Sequence, residues 1–119
     1  MMSIKMQTIE HRPNTSVAFW EKPSEYSEHI KSSYIDTNFL LTPTTEFSAD
    51  QLTRTVTYIW DSLPGLLRIV SEDEHVINNY TVNKTYNEVS GIVRESTKFV
   101  HYNPNNDPIT EGIIKNINL

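Results

Sequence analysis

Apolar periodicity along this chain alternates between the two-residue repeat of strands and the longer repeat of helices. The resulting order is strand, helix, strand, strand, helix, strand, and no motif constrains the fold as strongly. Two crossovers flanking a hairpin give an α+β domain, a ferredoxin-like β-α-β-β-α-β antiparallel sheet with helices on one face. The length of 119 residues suits one core. We expect a ferredoxin-like α/β domain over residues 1–102 and a C-terminal loop and apolar docking tail over residues 103–119.

Ile4 to Glu10 reads as the first strand, with Ile4, Met6 and Thr8 on one face. Val17-Ala18-Phe19-Trp20 resumes an apolar stretch after turn-type residues. Pro23 opens a helix whose Tyr26, Ile30 and Tyr34 recur every four residues, and Asp36-Thr37-Asn38 ends it. A second strand is expected from Phe39 to Phe47, irregular at Pro43, followed by a hairpin turn at Ser48-Ala49-Asp50-Gln51. In the third strand, Leu52, Val56, Tyr58 and Trp60 share a face with Arg54, while Thr53, Thr55, Thr57 and Ile59 share the other. Two helices follow, divided near Ser71-Glu72-Asp73-Glu74, with Val82, Tyr86 and Val89 extending the apolar face to a Gly91 cap. The last strand, Ile92 to Tyr102, is expected to put Val93, Thr97, Phe99 and His101 on one side and Ile92, Arg94, Lys98 and Val100 on the other. Asn103 to Pro108 forms a loop, and the aliphatics between Ile109 and Leu119 are expected to dock on a folded surface.

Several function classes are disfavoured by composition. A net charge of −5 without a Lys/Arg run argues against nucleic acid as partner, because phosphate binding rests on clustered cations. With no cysteine there is neither a disulfide nor a thiolate nucleophile. No window approaches a membrane span and the N-terminus lacks a signal-type apolar run, so a cytoplasmic protein is the expectation.

His11, His29, His75 and His101 are scattered without metal-ligand spacing, so no metal site is expected. His29, beside Ile30 on the first helix, is the candidate catalytic base, although the ordinary reading is a boundary histidine. Glu72-Asp73-Glu74 lacks the alternating oxygens of a calcium loop and reads as a solvated helix start. Trp20, Tyr26, Tyr58, Trp60 and Tyr80 are candidates to line a pocket for a planar ligand, with core packing as the plainer account of the same residues.

Tyr58-Ile59-Trp60-Asp61-Ser62 resembles a segment of the antibiotic biosynthesis monooxygenase group, in which a strand ends in Trp, an acidic residue and Ser before a helix. The resemblance extends over residues 1–102 as element order. It implies a dimeric α/β barrel, with two sheets face to face across a homodimer axis and a pocket between sheet and helices. Some members of that group oxidise polycyclic phenols without a cofactor and others degrade haem. The haem-degrading branch carries Trp and His where this chain has Val70 and Tyr80, and His75 stands five residues early, so no cofactor is expected.

Two functions follow from this reading. The first is a small-molecule-binding protein of dimeric α/β barrel type, extending to a cofactor-independent oxygenase acting on a small aromatic ligand. The second is a non-enzymatic structural or interaction protein, viral or accessory, that uses the fold as a scaffold.

Overall fold

The computed structural model describes residues 3–95 and 97–102, and the loop and docking tail expected at 103–119 lie outside the described residues. Its elements are β1 (Ser3–His11), α1 (Ser24–Ile30), β2 (Thr44–Phe47), β3 (Thr53–Trp60), α2 (Leu63–Glu72), α3 (Glu74–Ser90), β4 (Val93–Arg94) and β5 (Lys98–Tyr102). A π-helical turn, Lys31–Ile35, prolongs α1. β1 pairs with β3 on one side and with both β4 and β5 on the other, β2 extends the sheet beyond β3, and every pairing is antiparallel. This α+β architecture is compatible with a ferredoxin-like fold.

Alternation along β1 sorts the two faces of the sheet. Ile4, Met6, Thr8 and Glu10 are buried, while the residues between them are half-buried. The buried side carries the core, in which Ile4, Met6, Leu40, Trp60, Leu66, Ile69, Val76 and Phe99 cluster with Tyr26, Ile30 and Tyr34 packed against them. The expected stripe at positions 26, 30 and 34 therefore does face the core. The opposite side presents Thr53, Thr55, Thr57 and Ile59 from β3, all half-buried.

Helix ends follow from local chemistry. The Ser62 hydroxyl accepts from the Gly65 N–H at 3.3 Å to cap α2, with Pro64 in the first turn. Asp73 breaks the two helices apart and caps α3, accepting from the N–H groups of His75 and Val76. Gly91 closes α3 in the left-handed region at φ 74°, where a side chain would be strained. Gly65 is required for a different reason: a Cβ there would stand 2.3 Å from Phe39 Cζ.

Three expectations need correction. The second strand is confined to Thr44–Phe47, because Pro43 interrupts it, and upstream only a bridge from Leu40 to Trp60 remains. The face of α3 is not the apolar one expected through Val82 and Val89, which are 44% and 84% exposed; its buried residues are Val76, Asn79 and Asn87. The last strand is broken in two. Arg94 opposes Glu10 and Lys98 opposes Gln7, so four steps on one strand match three on the other, which is a bulge of one residue. Because side chains alternate with period two, the bulge reverses parity and brings Arg94 to the same face as Phe99, which the uniform alternation expected for this strand did not allow.

Candidate functional site

Where the sheet meets α2 and α3 there is a cavity of about 90 Å³, and Trp20, Tyr26, Tyr58, Trp60 and Tyr80 all line it. The sequence candidates thus converge, although they come from the segment before α1, from α1, from β3 and from α3. Met6, Leu40, Leu66, Ile69 and Val76 form an apolar inner end. Trp60 is 5% exposed, stacks on Tyr58 at 6.3 Å between centroids and 15° between planes, and meets Tyr34 edge-on at 6.1 Å. Burial pushes the Tyr26 hydroxyl up to about 12, against the opposing effect of its hydrogen bond with Asn79.

The other end of the cavity is polar, built from residues that sequence reasoning passed over. Three asparagines at four-residue spacing, Asn79, Asn83 and Asn87, lie along the α3 side facing the sheet, and the first two line the cavity. From the sheet, Thr8 and Arg94 line it, with Glu10 and Arg54 just beyond them in the walls of an adjoining volume. Glu10, 2% exposed, accepts from Arg54 Nη2 at 2.8 Å and from Asn87 Nδ2 at 2.6 Å. Arg54 also donates to the Trp20 carbonyl at 3.1 Å, and its guanidinium lies 4.8 Å from the Phe19 ring, with Arg12 at 4.6 Å from the same ring. Lys22 donates to the Tyr58 hydroxyl at 2.7 Å. These bonds, with Tyr86 donating to the Ala18 carbonyl at 2.6 Å, hold the segment before α1 over the polar end. There the cavity adjoins a further volume of about 240 Å³ that shares Thr8, Trp20, Lys22, Tyr58, Asn83 and Arg94 as walls.

Arg94 opposes Glu10 across the strands but makes no ion pair with it. Its Nη2 donates to Thr8 Oγ1 at 3.2 Å and its guanidinium lies 4.4 Å from the Tyr80 ring centroid. Among the described residues it has no acidic partner within ion-pair distance. Buried side-chain atoms without a hydrogen-bond partner include Trp60 Nε1, Tyr80 Oη, Asn83 Oδ1 and Arg94 Nε, and all four residues line this cavity.

His29 lies elsewhere, outside the lining of the aromatic cavity. Its Nε2 donates to Asp73 Oδ2 at 2.7 Å, its Nδ1 lies 3.4 Å from Ser33 Oγ, and its ring lies 4.3 Å from that of His75. Tyr34 donates to the same Asp73 oxygen. Burial works to raise the Asp73 carboxyl, but the hydrogen bonds from His29, Tyr34 and the Val76 N–H, with the His29 charge, outweigh it and hold the group below the usual carboxylate range. Burial and the Asp73 hydrogen bond together push the Tyr34 hydroxyl upward. This cluster fastens α1 to the corner between α2 and α3. His11 bonds to Thr53 and Glu95 on the opposite face of the sheet, and no three His, Asp or Glu among the described residues are grouped to hold a metal. No helix of the described residues is long and apolar enough to cross a membrane.

Comparisons with models of known protein families, with curated proteins and with solved structures find no match to this chain.

Proposed function

We propose that the chain is a small-molecule-binding protein whose ligand occupies the cavity between the sheet and α2 and α3. One observation carries this reading: the buried, unpartnered polar atoms of Trp60, Tyr80, Asn83 and Arg94 belong to walls of a single cavity. Leaving one such atom unsatisfied costs about 1–3 kcal/mol, a heavy load for four of them in a fold stabilised by about 5–15 kcal/mol in all. Buried polar atoms normally find partners, and water or a ligand in this cavity supplies them here. Aromatic walls favour a flat ligand. The described lining of the 90 Å³ cavity contains neither carboxylate nor imidazole, so the walls support binding and orientation ahead of the proton abstraction a cofactor-independent oxygenase would need.

The test is thermal unfolding followed by tryptophan fluorescence across a panel of small aromatic compounds, since Trp20 and Trp60 are the two tryptophans of the chain and both line the site. A ligand at about 100 times its Kd adds about 2.7 kcal/mol of stability and raises Tm by several degrees. A flat response across the panel would move the reading to the interaction protein.

The reading includes a homodimer of α/β barrel type formed through the other sheet face. What supports it is that the β3 strip of this face carries no charge, presenting Thr53, Thr55, Thr57 and Ile59 half-buried beside Ile9, with Leu41 and Val93 exposed, while Lys5, Glu46 and Lys98 stand on the flanking strands of the same face. Sedimentation checks it, and a monomer at micromolar concentration refutes it.

A further inference from the structure

We infer that the ligand class of this cavity is a small aromatic monocarboxylate, its ring on the Trp60–Tyr58 wall and its carboxylate on Arg94. The inference rests on the binding reading above and narrows it. Charge points to an anion. Of the cations at the polar end, Arg54 is neutralised by Glu10 at 2.8 Å, whereas Arg94 passes over the same carboxylate and ends on a hydroxyl and a ring face. A buried guanidinium with no acid bonded to it takes an arriving anion as its natural partner. Lys22, held on the Tyr58 hydroxyl at the same walls, adds a second cation; no described acid lines the 90 Å³ cavity, and the two that line the adjoining volume, Glu10 and Glu21, both face Arg54, at 2.8 and 3.7 Å.

Hydrogen-bond polarity points the same way. Trp60 Nε1 and Arg94 Nε are donors only, and the Tyr80 hydroxyl can donate, so the unpartnered atoms are dominated by groups that want an acceptor. A carboxylate offers two acceptor oxygens in the plane that a guanidinium fork matches. Size sets the upper limit. About 90 Å³ bounded by Met6, Leu66 and Val76 admits one ring, and the adjoining volume at Arg94 receives the polar group.

Titration calorimetry on the full chain, with phenylacetate and its neutral isostere phenylacetamide as probes, tests this. The acid should bind at least tenfold more tightly than the amide. In Arg94→Met the acid should lose at least tenfold and the preference for acid over amide should vanish, the amide losing less, and Arg94→Lys should retain part of the preference. Should Arg94→Met fail to fold, a salt series on the unaltered protein serves instead: raising NaCl from about 0.05 to 0.5 M should erode acid binding and spare the amide. Equal affinities for both probes, unmoved by salt or by Arg94→Met, would overturn the carboxylate assignment and leave the pocket standing. Binding of neither probe at millimolar concentration, with no other aromatic compound of the panel binding, would overturn both.

Discussion

Glu10 offers a sharp test of how the polar end is held, because it is a carboxylate at 2% exposure whose two oxygens serve Arg54 and Asn87. Glu10→Gln changes the shape little but removes the charge, leaving the Arg54 guanidinium, 12% exposed, with the Trp20 carbonyl, the Phe19 ring and the distant, exposed Glu21. Charge-assisted hydrogen bonds contribute about 1.5–3 kcal/mol each, and breaking a buried pair from one side costs about 3–5 kcal/mol. Since Gln keeps one acceptor, we expect about 3 kcal/mol, equivalent to roughly 12 °C in Tm at about 4 °C per kcal/mol for a chain of this size. Urea unfolding monitored by tryptophan fluorescence and circular dichroism should show a midpoint lowered by more than about 1 M with the slope unchanged. The double variant Glu10→Met with Arg54→Met removes both charges and should recover most of the loss, because well-packed apolar pairs replace buried ion pairs at little cost. A Glu10→Gln protein within about 0.5 kcal/mol of the parent, or a double variant as unstable as the two singles summed, would refute the reasoning.

Further outcomes follow from the same packing. Trp60→Ala should cost about 3–5 kcal/mol in a denaturant melt, since it empties a site touched by Tyr34, Phe39 and Tyr58. Gly65→Ala should destabilise by about 1–3 kcal/mol although it replaces the poorer helix former, because the new methyl meets a Phe39 ring itself wedged between Tyr34 and Trp60; a gain in Tm would contradict this. Asp73→Asn should cost about 1–3 kcal/mol near pH 7 through the weakened bonds to His29 and Tyr34 at Oδ2, since Asn still caps α3. As the folded-state carboxyl is held below its ordinary value, its contribution is complete above that value and is lost as pH falls through the depressed one. The gap between parent and variant should therefore close on acidification to below the ordinary carboxylate range, and a constant gap would exclude the linkage.

Much of the fold is legible in residue patterns, and the exceptions have physical causes. The strand of Thr53–Trp60, the capped break at Asp73 and the closing Gly91 follow from period-two alternation, N-cap chemistry and a left-handed C-cap, all local effects. The aromatic wall was also readable, because large flat side chains on inward positions of strand and helix meet wherever the two pack. Local rules do not reach the polar end. Asn79, Asn83 and Asn87 share the spacing of a helical face, yet asparagine there reads as solvated until Glu10 and Arg54 are known to lie opposite. Uniform alternation puts Arg94 on the wrong side, because a bulge leaves no signature in alternation other than its weakening. The π-helical turn after Ile30 is likewise silent in sequence, since Tyr34 reaches the core either way.

The one-residue bulge between Arg94 and Lys98 separates two inheritances along a single edge of the sheet. Phe99 keeps its place in the core through pairing with β1 at Met6, whatever happens upstream, and Arg94 owes its inward pose to the length of the link and not to its identity. Losing one residue from that link would turn position 94 outward and leave the packing of Phe99 untouched. Among descendants of this chain a change in length alone is therefore enough to gain or discard the inward cation. Link length is thus the character to follow when tracing how ligand preference diverges.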